Sequence, residues 1–154
     1  MNISGELRIS ANREAVFDRL QDARQFVSLV EGVQDLKEID PTHYEAVFET
    51  KVAYMRFKFK VAVEVLSMER PSKIAAKVEG SPLGVVGRLS ATTLTTLTEV
   101  GNETQIDYSV DVTITGKLGS MGQPVLRSKA KELAAQFARN MSALFHEEMK
   151  GAVP

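Results

Sequence analysis

Residues 116–122 read "GKLGSMG", with glycine at Gly116, Gly119 and Gly122 and a cation at Lys117. The segment follows an alternating strand pattern and opens a long helical one. A glycine-rich turn at a helix start is where backbone N–H groups and the helix dipole hold phosphate. The spacing argues against that chemistry. A phosphate loop needs G-x-x-x-x-G-K-[ST], whereas Leu118 follows Lys117 and no glycine stands five residues before Gly116. A dinucleotide fingerprint needs G-x-G-x-x-G inside a β-α-β unit. Here the spacing is G-x-x-G-x-x-G, and no strand pattern follows the helix. The glycines read instead as steric relief, letting a strand turn into a helix that starts close to the sheet.

Other constellations are equally poor in chemistry. The chain has no cysteine, which removes thiol nucleophiles, disulfides and thiolate metal sites. Its two histidines do not form a ligand set: His43 lies in a turn, and His146 lies beside Glu147 and Glu148 near the end of the last helix, where a cation complements the dipole. The hydroxyl-rich run 90–98 lacks a G-x-S-x-G elbow, and neither histidine is placed by sequence to serve a triad. Threonine's β-propensity explains most of that run. On period 2, however, Thr93 and Thr95 share a face with Leu89, Ala91 and Leu97. Hydroxyls turned inward need partners, and sequence leaves open whether those are backbone groups or a ligand. In "MRFKFK" the aromatics and the basic residues occupy opposite faces, so no stacking platform for nucleic acid is formed.

These residues must be positioned by an α+β chain of one domain, residues 1–150, with a short tail at 151–154. Its 154 residues suffice for a core without metal or disulfides. The net charge of −1 gives no push toward nucleic acid. The absence of cysteine, of a signal-peptide pattern at the N-terminus and of a long apolar run predicts a cytoplasmic chain without a transmembrane segment. A first strand is predicted at 2–9. A helix capped by Asn12 buries Val16, Phe17 and Leu20, and a second begins at an Asp22/Gln25 capping box with Phe26, Leu29 and Val30. Gly32 ends it. Strands follow at 33–39, 43–54, 56–68, 73–80, 86–100 and 104–115, punctuated by "DPTH", "ERPS" and "GNET". A helix of about 117–149 closes the chain, with Pro124 kinking or restarting it near its beginning. The order β-α-α-β6-α gives a curved antiparallel sheet of about seven strands with its helices on one face.

The inward residues are the remaining candidates. Period 2 and the helical stripe select Phe48, Val52, Phe57, Phe59, Val61, Leu89, Thr93, Ile106, Tyr108 and Val110 from the sheet, with Leu133, Phe137 and Met141 from the helix. Met121 and Val125 fall at one end of the same space. Periodicity leaves open whether this set lines a cavity or fills a core. It likewise leaves open whether the apolar "SPLGVVG" at 81–87 is a flap or a plain strand connection.

The run "GKLGSMGQPVLRSKAKELAAQF" after "TQIDYSVDVTIT" resembles the end of the CoxG family, named for the G subunit of carbon monoxide dehydrogenase and part of the START-like, helix-grip superfamily. The most specific matches are Gly116, Lys117, Leu118, Gly122, Ala130, Lys131, Leu133 and Phe137. The opening "ISGELRISANREAVFDRLQD" resembles the family's start through Gly5, Val16, Phe17 and Asp22, and Gly32, Tyr44, Ala46, Pro71, Gly80, Ala91, Leu97, Thr104 and Tyr108 lie between. The resemblance implies a sheet gripping the C-terminal helix, two rim helices and a hydrophobic cavity. It implies a non-enzymatic module without cofactor that holds a lipophilic molecule such as a quinone or lipid. The implied partner is a molybdenum hydroxylase of the carbon monoxide dehydrogenase type, with peripheral contact at the inner face of the membrane. Polyketide cyclases of the wider superfamily imply an alternative, an enzyme using Tyr108 with Thr93; a solid-core assembly protein is a third. The chain departs from the family at Glu31, where proline is common, and at Ala53–Arg56, where a glycine-bearing turn is common.

Overall fold

The computed structural model describes the backbone of residues 1–152 and the side chains of residues 1–145. Strand β1 (Asn2–Ile9) leads into α1 (Arg13–Gln21) and α2 (Ala23–Ser28). Six strands follow: β2 (Val33–Asp40), β3 (His43–Val52), β4 (Met55–Glu69), β5 (Lys73–Pro82), β6 (Gly87–Val100) and β7 (Glu103–Thr115). A single turn, α3 (Gly116–Gly119), then precedes the long α4 (Gln123–Ala152). The strands form one antiparallel sheet in the order β1-β7-β6-β5-β4-β3-β2. β1 and β2 are its unjoined edges, so the sheet is open.

Both short helices start on the caps read from sequence. The Asn12 side chain accepts from the Ala15 N–H at 2.8 Å, and Asp22 accepts from Arg24 and Gln25 at 3.0 and 3.3 Å. Each cap satisfies N–H groups that have no partner inside the helix. The helices hold to the rest of the molecule by burying Val16 and Phe17 completely against Ile9, Leu97, Ile106, Met141 and Phe145. Under the same end, the fully buried Thr104 donates its hydroxyl to the Ala11 carbonyl at 2.8 Å.

The predicted helix 117–149 is two helices, because the backbone reverses at both ends of the short one. Gly116 and Gly122 have φ of +76° and +94°. A Cβ on Gly116 would lie 2.4 Å from the Gly87 Cα and 2.5 Å from the Val86 carbonyl oxygen, so two backbones touch where any side chain would intrude. The Lys117 N–H donates to that same Val86 carbonyl at 2.9 Å. Pro124 sits in the first turn of α4, where its missing N–H costs nothing. At its far end α4 runs through Ala152, into the residues read from sequence as a tail.

The predicted strand 43–54 stops two residues early. The β3–β4 chain reverses at Ala53, which holds φ +56° without being glycine. No glycine, asparagine or aspartate marks the spot.

Opposite effects on stability are expected at the two turns. Gly116→Ala forces a left-handed alanine against backbone and should cost about 2 kcal/mol or more, lowering Tm by about 4–8 °C. Ala53→Gly removes a similar strain from an open turn, less glycine's own entropy cost, and should raise Tm slightly. Thermal melts of both variants check the pair.

Candidate functional site

Antiparallel register places directly opposed residues on one face of the sheet, which fixes what α4 looks down on. One row is Val63, Val78, Ala91 and Val112; the next is Val65, Ala76, Thr93, Val110 and Ile3. Apart from Ile3, these are small side chains. Bulky ones gather at the two ends instead. At one end Ile9, Phe17, Leu97, Ile106, Met141 and Phe145 form a buried cluster joined by Phe137 and Ile74. At the other, Val52, Phe57, Phe59 and Leu118 form a second cluster joined by Phe48, Val61, Ile114, Met121 and Leu126.

Between the clusters the inner face is incompletely covered. Val63, Ala76, Val78, Thr93, Tyr108 and Val110 all face the helix side, yet each stays partly exposed. From above, Ala130, Leu133, Ala134 and Phe137 are partly exposed as well. The backbone of α4 comes closest to β1 and to β3, toward opposite sides of the sheet. A straight helix laid across a twisted, concave sheet meets it at limited places. Phe137 is braced from α2 by the Phe26 ring at 5.3 Å, and Asn140 donates to the Leu29 carbonyl at 3.0 Å. The rim helices thereby close one end over the helix.

The fifteen candidates divide along these lines. Ile106, Phe137 and Met141 belong to the first cluster, and Phe48, Val52, Phe57, Phe59, Val61 and Met121 to the second. Leu89, Thr93 and Val110 lie on the inner face between them, with Thr93 donating weakly to the Ala76 carbonyl at 3.4 Å. Val125 is exposed at the start of α4. Leu133 and Tyr108 line separate clefts on the two flanks of α4. Beside Leu133 is a cleft of about 510 Å³, walled by Gly32, Thr50, Gln136 and the ion pairs Arg56–Glu49 and Lys129–Glu132, at 3.4 and 3.1 Å. Beside Tyr108 is one of about 280 Å³, walled by Ile3, Ala134, Ala135, Ala138, Arg127 and Lys131. Periodicity missed these polar walls because they arise where edge strands pass the helix, which no single-strand pattern records.

Tyr108 is not the partner of Thr93. Register sets it opposite Thr95 on β6 and opposite Gly5 on β1. Its ring occupies the place of a side chain at Gly5, where a Cβ would meet the hydroxyl oxygen at 2.4 Å. The segment 83–86 joins β5 to β6 and is fastened at both ends, by Leu83 N–H to the Lys58 carbonyl at 2.8 Å and by the Val86 contact described above.

His43 closes the β2–β3 turn, with Nδ1 2.9 Å from Asp40 Oδ1. That carboxylate also accepts from the Thr42 N–H at 2.9 Å. His146 and its neighbouring glutamates lie outside the described side chains. Among the described residues, no group of three His, Asp or Glu could hold a metal ion.

The family model of the carbon monoxide dehydrogenase G subunit (CoxG) matches residues 5–145. The chain belongs to the CoxG family. No curated protein matches it significantly. Among solved structures, a conserved protein from Geobacillus kaustophilus superposes with a TM-score of 0.87 at 23% identity, covering 96% of each chain. The Zhui aromatase/cyclase from Streptomyces sp. R1128 gives 0.74 at 11% identity, over 99% of this chain and 98% of that one. A START superfamily protein from Mycobacterium smegmatis gives 0.71 at 10% identity, over 95% and 97%. These likenesses establish the START-like helix-grip fold. No described helix is long and apolar enough to cross a membrane.

A pH dependence follows from the His43–Asp40 contact. Bonding to Asp40 raises the His43 pKa above 6.5, and His43, with Thr42, pulls Asp40 down to about 2. The raised histidine contributes stability present below its unfolded pKa and lost as pH rises through its folded value. The lowered carboxylate contributes stability present above its unfolded pKa and lost as pH falls toward 2. An NMR titration should place the His43 midpoint above the ordinary range, and Asp40→Asn should bring it back down.

Proposed function

We propose that this CoxG-family chain is a non-enzymatic binding module that shelters a lipophilic small molecule, a quinone or another lipid, between α4 and the concave sheet. It serves as an accessory to a molybdenum hydroxylase of the carbon monoxide dehydrogenase type, in the cytoplasm at the inner face of the membrane. One observation carries the reading. Small inward side chains separate two bulky clusters beneath a helix, and most of them, though not Ala91, stay partly exposed although that helix crosses over them. Apolar walls with few polar groups suit a lipophilic guest. The weak Thr93 bond leaves its hydroxyl able to reorient toward such a guest. The cyclase-like alternative would use Tyr108 with Thr93, which lie in adjacent rows of the inner face with no hydrogen bond between them.

Native mass spectrometry of gently purified protein, followed by titration with an isoprenoid quinone, tests the reading. One bound equivalent is expected; protein that stays empty and takes up neither quinone nor lipid contradicts it. Thr93→Phe should fill the space, leave the unliganded Tm unchanged or higher, and weaken quinone binding at least about tenfold. If the core is already full, the same substitution should instead cost about 1–3 kcal/mol of stability.

A further inference from the structure

We infer that the β1 flank of α4 is a headgroup site for an anionic amphiphile, with Arg127, Lys131 and Tyr108 holding a carboxylate or phosphate whose aliphatic chain runs under the helix. The chain part of this inference rests on the proposed function; the headgroup part rests on the residues of this flank. Arg127 and Lys131 are four apart on α4, so they share one helical face. Both line the cleft of about 280 Å³ at the β1 edge. Among the described residues neither is paired with a carboxylate, whereas Lys129, on the opposite flank, is paired with Glu132 at 3.1 Å. Arg127 donates only to the Asn2 backbone carbonyl, at 3.3 Å, and keeps further N–H groups for a planar anion.

Tyr108 supplies the third donor. With its ring lying over Gly5, its hydroxyl is carried out to the edge strand, into the same cleft, and it has no hydrogen-bond partner among the described residues. Beside the donors part of the wall is aliphatic, from Ile3, Ala134, Ala135 and Ala138, with Asn2 and Ser4 completing the lining. Two cations and a hydroxyl beside a partly aliphatic wall match an acidic head on a hydrocarbon chain. A free inorganic anion would leave that wall unused. A neutral quinone would use the hydroxyl but not the charges.

Calorimetric titration of the full chain with tetradecanoate, tetradecyl phosphate and tetradecanol, below their aggregation limits, tests this. The two anions should bind at least about tenfold more tightly than the alcohol, and the difference should shrink in high salt. The double variant Arg127→Gln, Lys131→Gln should erase the difference and leave alcohol binding unchanged. Lys131→Gln alone, which keeps the Arg127–Asn2 contact, should reduce it, and Tyr108→Phe should weaken the anions more than the alcohol. Equal affinity for all three amphiphiles overturns the headgroup site and leaves the proposed function standing. Failure of all three, together with the quinone, brings down both. Acetate or inorganic phosphate binding as tightly as the matching amphiphile would make this a free-anion site and overturn the claim as stated.

Discussion

Helix α4 packs on the sheet through two separate apolar clusters, with a sparser stretch between them. At one end Met141 and Phe145 bury against α1 and the base of the sheet; at the other Leu126, with Met121 and Leu118, packs onto Phe57 and Phe59. Each cluster removes several large side chains from water, at roughly 1.5–3 kcal/mol apiece. That is enough to fix the helix without contributions from its centre. The centre is then free to be lined by valine, alanine and threonine, residues that fill little space. A core of larger residues in the same rows would stabilise the fold further and close the space. Stability and opening therefore lie in different rows of one sheet.

The hinge between β7 and α4 serves the same constraint. For α4 to cross the sheet, the chain must leave the last strand, turn back over the concave face and start a helix within a few residues. Gly116 does so by packing its backbone on that of Gly87, which also fixes the β5–β6 connection against the start of α3. The glycines that resemble a nucleotide loop are thus explained by contact between backbones. Their mutual spacing reflects one short helical turn bounded by two left-handed residues.

Much of the fold was legible because it obeys period. Alternation from 56 to 65 and from 104 to 114 is uninterrupted, caps at Asn12 and Asp22 carry their usual residues, and the break near Pro124 announces itself. Ala53 was not legible, since a left-handed alanine leaves no mark in sequence. The candidate site was legible only as a face. Register was needed to show that Tyr108 lies over Gly5 and opposite Thr95, and that the inner rows grade from bulky to small and back. Arg127 and Lys131 are not among the inward candidates of the helix. Only the path of α4 past β1 gives them a cleft.

A guest lying between the middle of α4 and the inner face of the sheet must touch the small residues of the middle rows. Methyl NMR of the protein with added quinone measures this directly. Resonances of Val63, Val78, Ala91 and Val110, on the inner rows, should shift together, while those of Val47 and Ala62 on the outer face should stay in place. Shifts confined to the outer face, or none at a quinone concentration that saturates binding, would contradict it.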